Sequence, residues 1–431
     1  MVNIGLIGCG TVGQGVLKII ERHRVGIEQR VGAPVNIARI CDIKAKVVKD
    51  IPAKYQKVFC RDYREVLNDP EIDLVVELVG GVDFARTIVL ESFRQGKHVV
   101  TANKALLSQY WDEIFINARK YGVLIYFEAS VGGGIPVIQA LNEGLAANKI
   151  DSLLGILNGT TNFILTKMSE DKMDFDKALR MAQKLGFAER NPSLDIKGID
   201  SRHKISILAS IAFGGWVKPE DIYTQGLENI SLQDLLYAEQ EFDYAVKLLA
   251  IAKDDPGGIE IRVHPTLINK EHLLTSVDDQ YNAIYIRGDA AGDTMYYGQG
   301  AGQMPAASAV VSDIIYLSRN IQNKIAGTMP YVHYDPDKKL KIKNISEIRV
   351  KYYMRFTTVD KPGVLSKISG ILGQHHVSIE SCLQKGYPGR KRVPILMITH
   401  KAKEKDVMQA LAKIDNLAAV KAKTVYIRIE G

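Results

Sequence analysis

Cysteine is scarce in this chain of 431 residues, and long apolar runs are absent from it. The four cysteines, Cys9, Cys41, Cys60 and Cys382, have no C-x-x-C spacing, which excludes a disulfide framework and suits a reducing cytoplasm. No 18 apolar residues run together, and the start of the chain lacks a basic segment followed by a long apolar one. We therefore expect a soluble, cytoplasmic protein that is neither secreted nor inserted into a membrane.

Clusters of basic residues are also lacking. The formal net charge is +7, and the 56 lysines and arginines are scattered rather than gathered in stripes, which argues against nucleic-acid binding. The hydrophobic share of 46% and the charged share of 24% are those of an ordinary globular protein. A chain of this length exceeds a single hydrophobic core, so we expect two or three domains.

A glycine-rich turn stands near the start of the chain. The apolar run at 2–7 meets GCGTVG at 8–13, and an amphipathic segment follows, which predicts the strand, turn and helix of a dinucleotide-binding unit. Gly8 permits a tight turn, Gly10 lets a pyrophosphate approach the backbone, and Gly13 lets helix and strand pack closely. The phosphates would lie at the helix N-terminus, beside Thr11 and Val12. An ordinary turn with packing glycines is the alternative.

The second predicted strand, at 35–42, ends in Asp42. A carboxylate there accepts hydrogen bonds from the adenosine ribose of NAD, although the interval from Gly13 exceeds the usual length of about 20 residues. Arg39, Lys44 and Lys46 lie near enough for one of them to pair with the 2′-phosphate of NADP. The choice between NAD and NADP stays open.

Further apolar strands at 72–79, 97–103 and 123–129 alternate with helical patterns. This predicts an α/β protein whose N-terminal domain is a Rossmann-type, doubly wound parallel sheet. We assign 1–130 to this dinucleotide-binding domain and expect a helical segment at 302–325 to fold back and complete it. Residues 131–301 should form an α+β domain for substrate binding and dimerisation, and 326–349 should be a linker.

Ligands of open parallel sheets bind beyond the carboxyl ends of the strands. The turn at 80–81 would allow close approach of a ribose, and Lys104 would bring a cation near the nicotinamide. The segment EASVGGGI at 128–135 combines a carboxylate with a glycine-rich backbone, and its carbonyls would suit a hard cation. A hinge between domains is the alternative for that segment.

The segment AERNPSLDIKGIDSRHK at 188–204 is dense in charge and precedes the apolar run ISILASIAF. If a helix begins near 198–201, Asp200 and Lys204 share one face. An exposed pair of this kind stabilises a protein by only about 0.3–0.5 kcal/mol. A lysine in the first turn opposes the helix dipole, however, and carboxylates such as Glu189 exceed what one lysine needs. The pattern therefore indicates a pocket for a polar ligand.

Six motifs in this order resemble the homoserine dehydrogenase family over essentially the whole chain. They are GCGTVGQG, TANKALL, EASVGGGIPVI, LNGTTNFIL, DIKGIDSRHK and YGQGAGQMPAASAVVSD, at 8–15, 101–107, 128–138, 157–165, 195–204 and 297–313. The resemblance implies NAD(P)-dependent interconversion of L-aspartate 4-semialdehyde and L-homoserine, in threonine, methionine and isoleucine biosynthesis. It also implies a homodimer or homotetramer.

The tail at 350–431 has the predicted order βαββαβ, a ferredoxin-like arrangement. It resembles an ACT regulatory domain, for which DKPGVL at 360–365 is the informative motif. The turn and helix N-terminus after Asp360 would hold the carboxylate of an amino-acid effector, and the family implies threonine. A ferredoxin-like module without a ligand is the alternative.

The family resemblance assigns roles to single residues. Lys204 would be the acid/base with Asp200 in support, and Glu189 would bind the substrate amino group. Lys104 would face substrate and nicotinamide, and Gly302 would return to the cofactor. The sodium ligands would be Glu128, Val131, Gly133 and Ile135. One departure is Asn191, where the family commonly has aspartate; we expect altered polarity there, not lost activity.

Proton exchange by lysine needs a favourable setting, because the ordinary lysine pKa of about 10.4 is high for chemistry near neutrality. Desolvation or a second cation would lower the pKa of Lys204, and Lys104 is the candidate cation, whereas Asp200 acts in the opposite sense. Two other functions stay open. One is a nucleotide-sensing regulator, which needs no acid/base lysine; the other is a dehydrogenase of a different small amino or hydroxy acid.

Overall fold

The computed structural model describes residues 1–44, 47–228, 230–384 and 392–431. The chain divides into two compact units. The first comprises Met1–Gly159, Asp200–Ile222 and Tyr281–Leu340, and the second comprises Thr160–Ile199, Tyr223–Gln280 and Lys341–Gly431. These units divide the chain at other points than the predicted domain boundaries, which stay predictions.

The secondary structure follows in chain order. The strands are β1 (Val2–Ile7), β2 (Val35–Cys41), β3 (Phe59–Cys60), β4 (Leu74–Glu77), β5 (His98–Thr101), β6 (Ile125–Tyr126), β7 (Ile150–Ile156), β8 (Tyr223–Thr224), β9 (Tyr244–Asp255), β10 (Gly258–Asn269), β11 (Tyr281–Gly288), β12 (Gly292–Gln299), β13 (Arg349–Thr358), β14 (Ile379–Gln384), β15 (Val393–Thr399), β16 (Ala402–Lys403) and β17 (Val425–Glu430). The α-helices are α1 (Thr11–Arg22), α2 (Arg24–Val31), α3 (Val47–Asp50), α4 (Ala53–Gln56), α5 (Arg64–Leu67), α6 (Asp83–Arg94), α7 (Lys104–Lys120), α8 (Val137–Gln139), α9 (Gly159–Glu170), α10 (Phe175–Lys184), α11 (Ser193–Ile196), α12 (Ile199–Phe213), α13 (Leu232–Phe242), α14 (Gln303–Gln322), α15 (Val364–Gln374) and α16 (Glu404–Asp415).

The first unit contains a six-stranded parallel sheet with the order β3-β2-β1-β4-β5-β6. Strand β1 pairs with β2 on one side and with β4 on the other. Its carboxyl end is therefore the topological switch point, where ligands bind in doubly wound folds. Strand β4 is buried along its whole length, because helices cover both faces of such a sheet. The predicted Rossmann-type sheet is confirmed.

Helix α14 packs into the core of this sheet from far along the chain. Its residues Ala307, Val310 and Ile314 share a buried cluster with Val16 and Leu17 of α1. The two helices approach closely, since a Cβ at position 15 of α1, a glycine, would lie 2.8 Å from that of Ala307. The first unit also contains an antiparallel sheet with the order β12-β11-β7.

The second unit contains a mixed sheet with the order β9-β10-β17-β13-β15-β14. Within the tail the elements run β13, α15, β14, β15, α16, β17, with the two-residue strand β16 before α16; the predicted βαββαβ order is confirmed. The last strand, β17, lies between β13, with which it is antiparallel, and β10, with which it is parallel. The tail therefore shares a sheet with residues of the middle of the chain.

The segment predicted as a linker, 326–349, takes part in both units. In the first unit Val332 and Tyr334 are buried, and the ring of Tyr334 lies 6.2 Å from that of Trp111. In the second unit Ile342 pairs with Ile259.

Among the residues described, no helix is long and apolar enough to span a membrane.

Candidate active site

The glycine turn between β1 and α1 has the close contacts that its sequence predicted. Gly8 has φ +95°, and a Cβ there would lie 2.5 Å from the backbone of Leu78. A Cβ at Gly13 would lie 2.4 Å from the carbonyl oxygen of Gly8, whereas one at Gly10 would meet nothing within 4 Å. Gly8 and Gly13 thus permit close packing, and Gly10 leaves an open face where α1 begins.

Asp42 holds the glycine turn from the end of β2. One carboxylate oxygen accepts a hydrogen bond from the backbone N–H of Cys9 at 2.8 Å, and the other accepts one from that of Lys44 at 2.8 Å. A cleft of about 390 Å³ lies beside this carboxylate, with Gly8 and Gly10 in its lining. The predicted ribose acceptor and the predicted pyrophosphate turn therefore border one cleft.

The cations near this cleft are only partly those that the sequence indicated. Lys44 lines the cleft, together with Arg61 and Arg64. The guanidinium of Arg39 instead pairs with Asp69 at 3.1 Å, and Arg39 is not among the residues described as lining the cleft. The position at 46 falls outside the described residues. Arg61 and Arg64 were missed because they follow β3, a two-residue strand without a recognisable pattern.

A buried carboxylate organises the ends of β4 and β5. Glu77 accepts hydrogen bonds from the backbone N–H of Val79 at 2.9 Å and from the hydroxyl of Thr101 at 2.6 Å. Burial raises the pKa of Glu77, against these hydrogen bonds. Asn103 donates to the carbonyl of Gly81 at 2.6 Å and caps α7 by accepting from Leu106 at 3.1 Å. These contacts fix the point at which Lys104 starts its helix.

Two lysines converge on one carboxylate. Lys204 Nζ lies 2.8 Å from Oδ2 of Asp200, and Lys104 Nζ lies 3.0 Å from Oδ1 of the same side chain. Helix α12 begins at Ile199, so the predicted i,i+4 geometry of Asp200 and Lys204 is confirmed. Both are buried, with 8% and 7% exposure, and the alternative of an exposed surface pair is wrong.

Further hydrogen bonds hold this cluster. Lys204 Nζ donates to the carbonyl of Leu157 at 2.6 Å, and the side-chain amide of Asn158 donates to Asp200 at 2.9 Å. Burial alone would raise the pKa of Asp200, but the charges of Lys204 and Lys104 outweigh it and hold that pKa well below its usual range. The carboxylate is therefore ionised and fixes both ammonium groups.

Helix α14 brings Gly302 to the start of α1. Gly302 precedes the helix with φ +124°, and the next residue, Gln303, donates to the carbonyl of Thr11 at 2.9 Å. Gln303 also accepts a hydrogen bond from Lys18 at 3.2 Å. The start of α1 and Gly302, which the sequence and the family resemblance respectively assigned to the cofactor, are thereby tied together.

The predicted substrate residue Glu189 belongs to the second unit. It is exposed in the loop between α10 and α11, where its carbonyl accepts from Gln183 at 3.2 Å. Asn191 in the same loop accepts from the backbone N–H of Ser193 at 3.3 Å and from its hydroxyl at 2.5 Å. An aspartate accepts the same two hydrogen bonds, so the departure at 191 is compatible with this loop.

The chain matches family models along most of its length. Residues 8–128 match "Homoserine dehydrogenase, NAD binding domain", 136–315 match "Homoserine dehydrogenase" and 352–419 match "ACT domain". Homoserine dehydrogenase of Neisseria gonorrhoeae is 42% identical, with 100% of this chain and 99% of that protein covered. That of Bacillus subtilis is 38% identical over 100% of this chain and 98% of that protein. The chain belongs to the homoserine dehydrogenase family.

Solved structures of homoserine dehydrogenases agree with the fold. The crystal structure of the enzyme from Thiobacillus denitrificans has a TM-score of 0.95 at 42% identity, covering 100% of this chain and 98% of that one. The S. aureus enzyme at pH 7.5 has a TM-score of 0.77 at 30% identity, covering 100% and 99%. The resemblance to homoserine dehydrogenase, the NAD-binding domain, the ACT domain and the assignment as an oxidoreductase are confirmed.

The cation site that the homoserine dehydrogenase family implies lies in the turn after β6. Gly133 has φ +55°, and among the described backbone contacts the carbonyls of Val131 and Gly133 accept no N–H, whereas the carbonyl of Ile135 accepts that of Val137 at 2.8 Å. The carboxylate of Glu128 accepts the backbone N–H groups of Ile138 and Gln139, both at 2.8 Å. Open carbonyl oxygens beside a carboxylate fit a hard monovalent cation.

Some residues of the site were not recognised from the sequence of this chain. Asn158 stands within the LNGTTNFIL motif but was given no role, although it contacts Asp200. Ser108 and His203, joined by a 2.6 Å hydrogen bond, were not singled out. Their only hint is spacing, because Ser108 follows Lys104 by four residues and His203 follows Asp200 by three, which places each pair on one helix face.

Proposed function

We propose that this chain catalyses the NAD(P)-dependent interconversion of L-aspartate 4-semialdehyde and L-homoserine. The observation that carries the proposal is the bridge of Asp200 between Lys104 and Lys204, at 3.0 and 2.8 Å. The dinucleotide, when bound, supplies or accepts the hydride. The chain has to supply the proton and to stabilise the negative charge that develops on the substrate oxygen.

Lys204 is the proposed acid/base. Its ammonium is held by two acceptors, Asp200 and the Leu157 carbonyl, so its position is set before the substrate arrives. A fixed cation that needs no reorganisation stabilises developing negative charge better than a mobile one. Lys104, whose side chain is 42% exposed, supplies a second positive charge at the same carboxylate and is proposed to face substrate and nicotinamide. Glu189 is proposed to bind the substrate ammonium group.

The cofactor is proposed to lie along the glycine turn. Gly10 offers open backbone to the pyrophosphate, Thr11 and Val12 begin the helix that receives its charge, and Asp42 faces the ribose. Gly302 is proposed to close over the cofactor from α14. A sodium ion is proposed at Glu128, Val131, Gly133 and Ile135, where it would orient the turn that leads from β6.

The test of the reaction is the absorbance of reduced nicotinamide with L-homoserine and either NAD or NADP. We expect turnover with homoserine and little with L-serine or other small hydroxy acids, and Lys204→Met should abolish turnover while leaving the dissociation constant of the dinucleotide within about twofold. Lys197→Met, at an exposed lysine of the same charged segment, is the matched control. Turnover by the Lys204 variant equal to that of the control contradicts the assignment.

Regulation is proposed to act through the tail. The proposed effector that binds there is L-threonine, one end product of the biosynthesis of threonine, methionine and isoleucine. Gly363 precedes α15 with φ +82° and has open space around it, as does Gly370 within the helix. Gly363→Ala should weaken inhibition by L-threonine, because the substitution strains the turn, whereas Gly370→Ala should retain it. Absence of any threonine effect on the unmodified protein refutes this proposal.

The assembly is proposed to be a homodimer or homotetramer. Sedimentation velocity over a range of protein concentrations measures the oligomeric state directly.

A sodium requirement is checked by the thermal midpoint in sodium chloride and in choline chloride at equal ionic strength. A higher midpoint in sodium supports the site, and equal midpoints contradict it.

A further inference from the structure

The helices that carry the two lysines touch at a second point. Ser108 of α7 and His203 of α12 are joined by a hydrogen bond of 2.6 Å between Oγ and Nδ1. Ser108 lies one helical turn after Lys104, and His203 lies one turn after Asp200. The hydrogen bond and the Lys104–Asp200 ion pair therefore join the same two helices at successive turns.

Helix α7 is interrupted two residues after Ser108. Tyr110 has the non-helical angles φ −127° and ψ 30°, so the first six residues of α7, 104–109, form a segment of their own. The start of this segment is fixed by the cap of Asn103 on Leu106. Its far end is fixed at Ser108, whose carbonyl also accepts from the indole of Trp216 at 3.1 Å. The direction of the segment that bears Lys104 thus depends on what holds Ser108.

His203 is suited to a structural hydrogen bond. Burial, followed by the charge of Arg202, lowers the pKa of His203 to about 4. The ring is therefore neutral near pH 7 and does not compete with the lysines for the charge of Asp200. Whichever of the two groups carries the shared proton, the neutral pair remains joined.

We propose that Ser108 and His203 are positioning residues that set the distance between Lys104 and the Asp200–Lys204 pair, an inference that rests on the proposed function of that cluster. Neither side chain is assigned to the substrate or the cofactor. Loss of their hydrogen bond leaves the Lys104–Asp200 ion pair to hold 104–109 against the start of α12 without the support of the next helical turn. Small displacements of catalytic groups cost turnover strongly.

The experiment compares Ser108→Ala, His203→Ala and the double variant in the intact protein. Each single variant should lower kcat for homoserine about tenfold, with KM and the dinucleotide dissociation constant changed by less than about twofold. The double variant should be no slower than the slower single variant, because Ser108→Ala already removes the shared bond together with the bond of its hydroxyl to the Ala105 carbonyl at 3.2 Å. Ser92→Ala is the matched control, since Ser92 is also buried with a helical hydroxyl bond, to Ile88 at 2.7 Å, on α6.

A rescue separates positioning from general damage to the fold. The amide of His203→Asn reaches the place of Nδ1 and should recover at least half of the lost turnover, whereas His203→Gln places its amide near Nε2 and should not. Losses equal to that of Ser92→Ala, losses that multiply in the double variant, or equal rescue by Asn and Gln overturn the inference.

Failure of the proposed function is distinguishable from failure of this inference. If the unmodified protein does not oxidise homoserine, the proposed function fails. Hydrogen exchange of the amides at 105–109 then still tests the positioning. Ser108→Ala and His203→Ala should each speed that exchange about tenfold, and unchanged exchange overturns the inference.

Discussion

Removing Asp200 should destabilise the protein more than removing Lys204. The carboxylate is the only anion among the three charges and is buried, and it also accepts from Asn158 at 2.9 Å. Asp200→Asn leaves Lys204, which is 7% exposed, without its anion. Loss of one partner of a buried ion pair costs about 3–5 kcal/mol, mostly through the uncompensated charge that remains.

Lys204→Met is the milder change. Asp200 then keeps the ion pair with Lys104 and the hydrogen bond from Asn158, so its charge stays compensated. The remaining loss is that of a hydrogen-bonded partner, for which about 1–3 kcal/mol is expected. The predicted difference between the two variants is therefore about 2 kcal/mol in the free energy of local unfolding.

Hydrogen exchange of a peptide covering α12 measures that free energy without requiring the whole chain to unfold in one step. Turnover of homoserine is measured on the same samples, and we expect kcat to be at least about a hundredfold lower in both variants than in the unmodified protein. Lys197→Met again serves as the exposed control. Equal protection of α12 in both variants, or weaker protection in Lys204→Met, refutes the reasoning from charge compensation.

Three further predictions concern other parts of the molecule. Gly10→Ala should weaken dinucleotide binding but leave the thermal midpoint unchanged, because the added Cβ meets nothing within 4 Å. Gly13→Ala should lower both the dinucleotide affinity and the thermal midpoint, because the added Cβ would lie 2.4 Å from a backbone oxygen. Equal midpoints of the two variants contradict this prediction. Burial raises the pKa of Glu128 from 4.5 to about 7, so in a sodium-free buffer the folded state keeps a proton that the unfolded state releases between those values, and stability should fall by about 3 kcal/mol as pH rises through that window. The thermal midpoint of the unmodified protein relative to Glu128→Gln should therefore be higher at pH 5 than at pH 8, and a constant difference contradicts the shift. Arg428 and Glu404 form a buried pair at 2.5 Å with 2% and 4% exposure, so Arg428→Met should cost about 3–5 kcal/mol. Adding Glu404→Gln should restore much of that loss of stability. The measurement is the protection of β13, which pairs with the strand of Arg428, against hydrogen exchange. Additive losses of protection in the double variant contradict the prediction.

The elements of the cofactor site were predictable because their signals are local. The glycines at 8, 10 and 13 encode a turn within six positions, and Asp200 and Lys204 need only helical spacing to share a face. The interval before Asp42 was longer than expected because a second helix, α2, stands between α1 and β2. An inserted helix lengthens the connection without moving the end of the strand.

The rest depends on packing between distant segments. Nothing near Lys104 indicates that its ammonium meets Asp200, because that contact follows from how α7 and α12 pack, and no periodicity records it. The same holds for Ser108 and His203. Glu77 escaped notice for a different reason, since it ends an apolar strand and its partner, Thr101, ends the neighbouring one; only the strand order brings the two together.

The position of β17 limits how the ACT domain can be studied. This strand is hydrogen-bonded to β10 on one side and to β13 on the other, and its Glu430 receives the guanidinium of the fully buried Arg262 at 2.6 Å. Cutting the tail away would expose the edge of β10 and remove one of the two carboxylates beside the buried Arg262, which would keep Glu260 at 2.6 Å. Truncation would then report on damage to the remaining protein as much as on lost effector binding, and transplanting the module onto another enzyme would require its neighbouring strand as well.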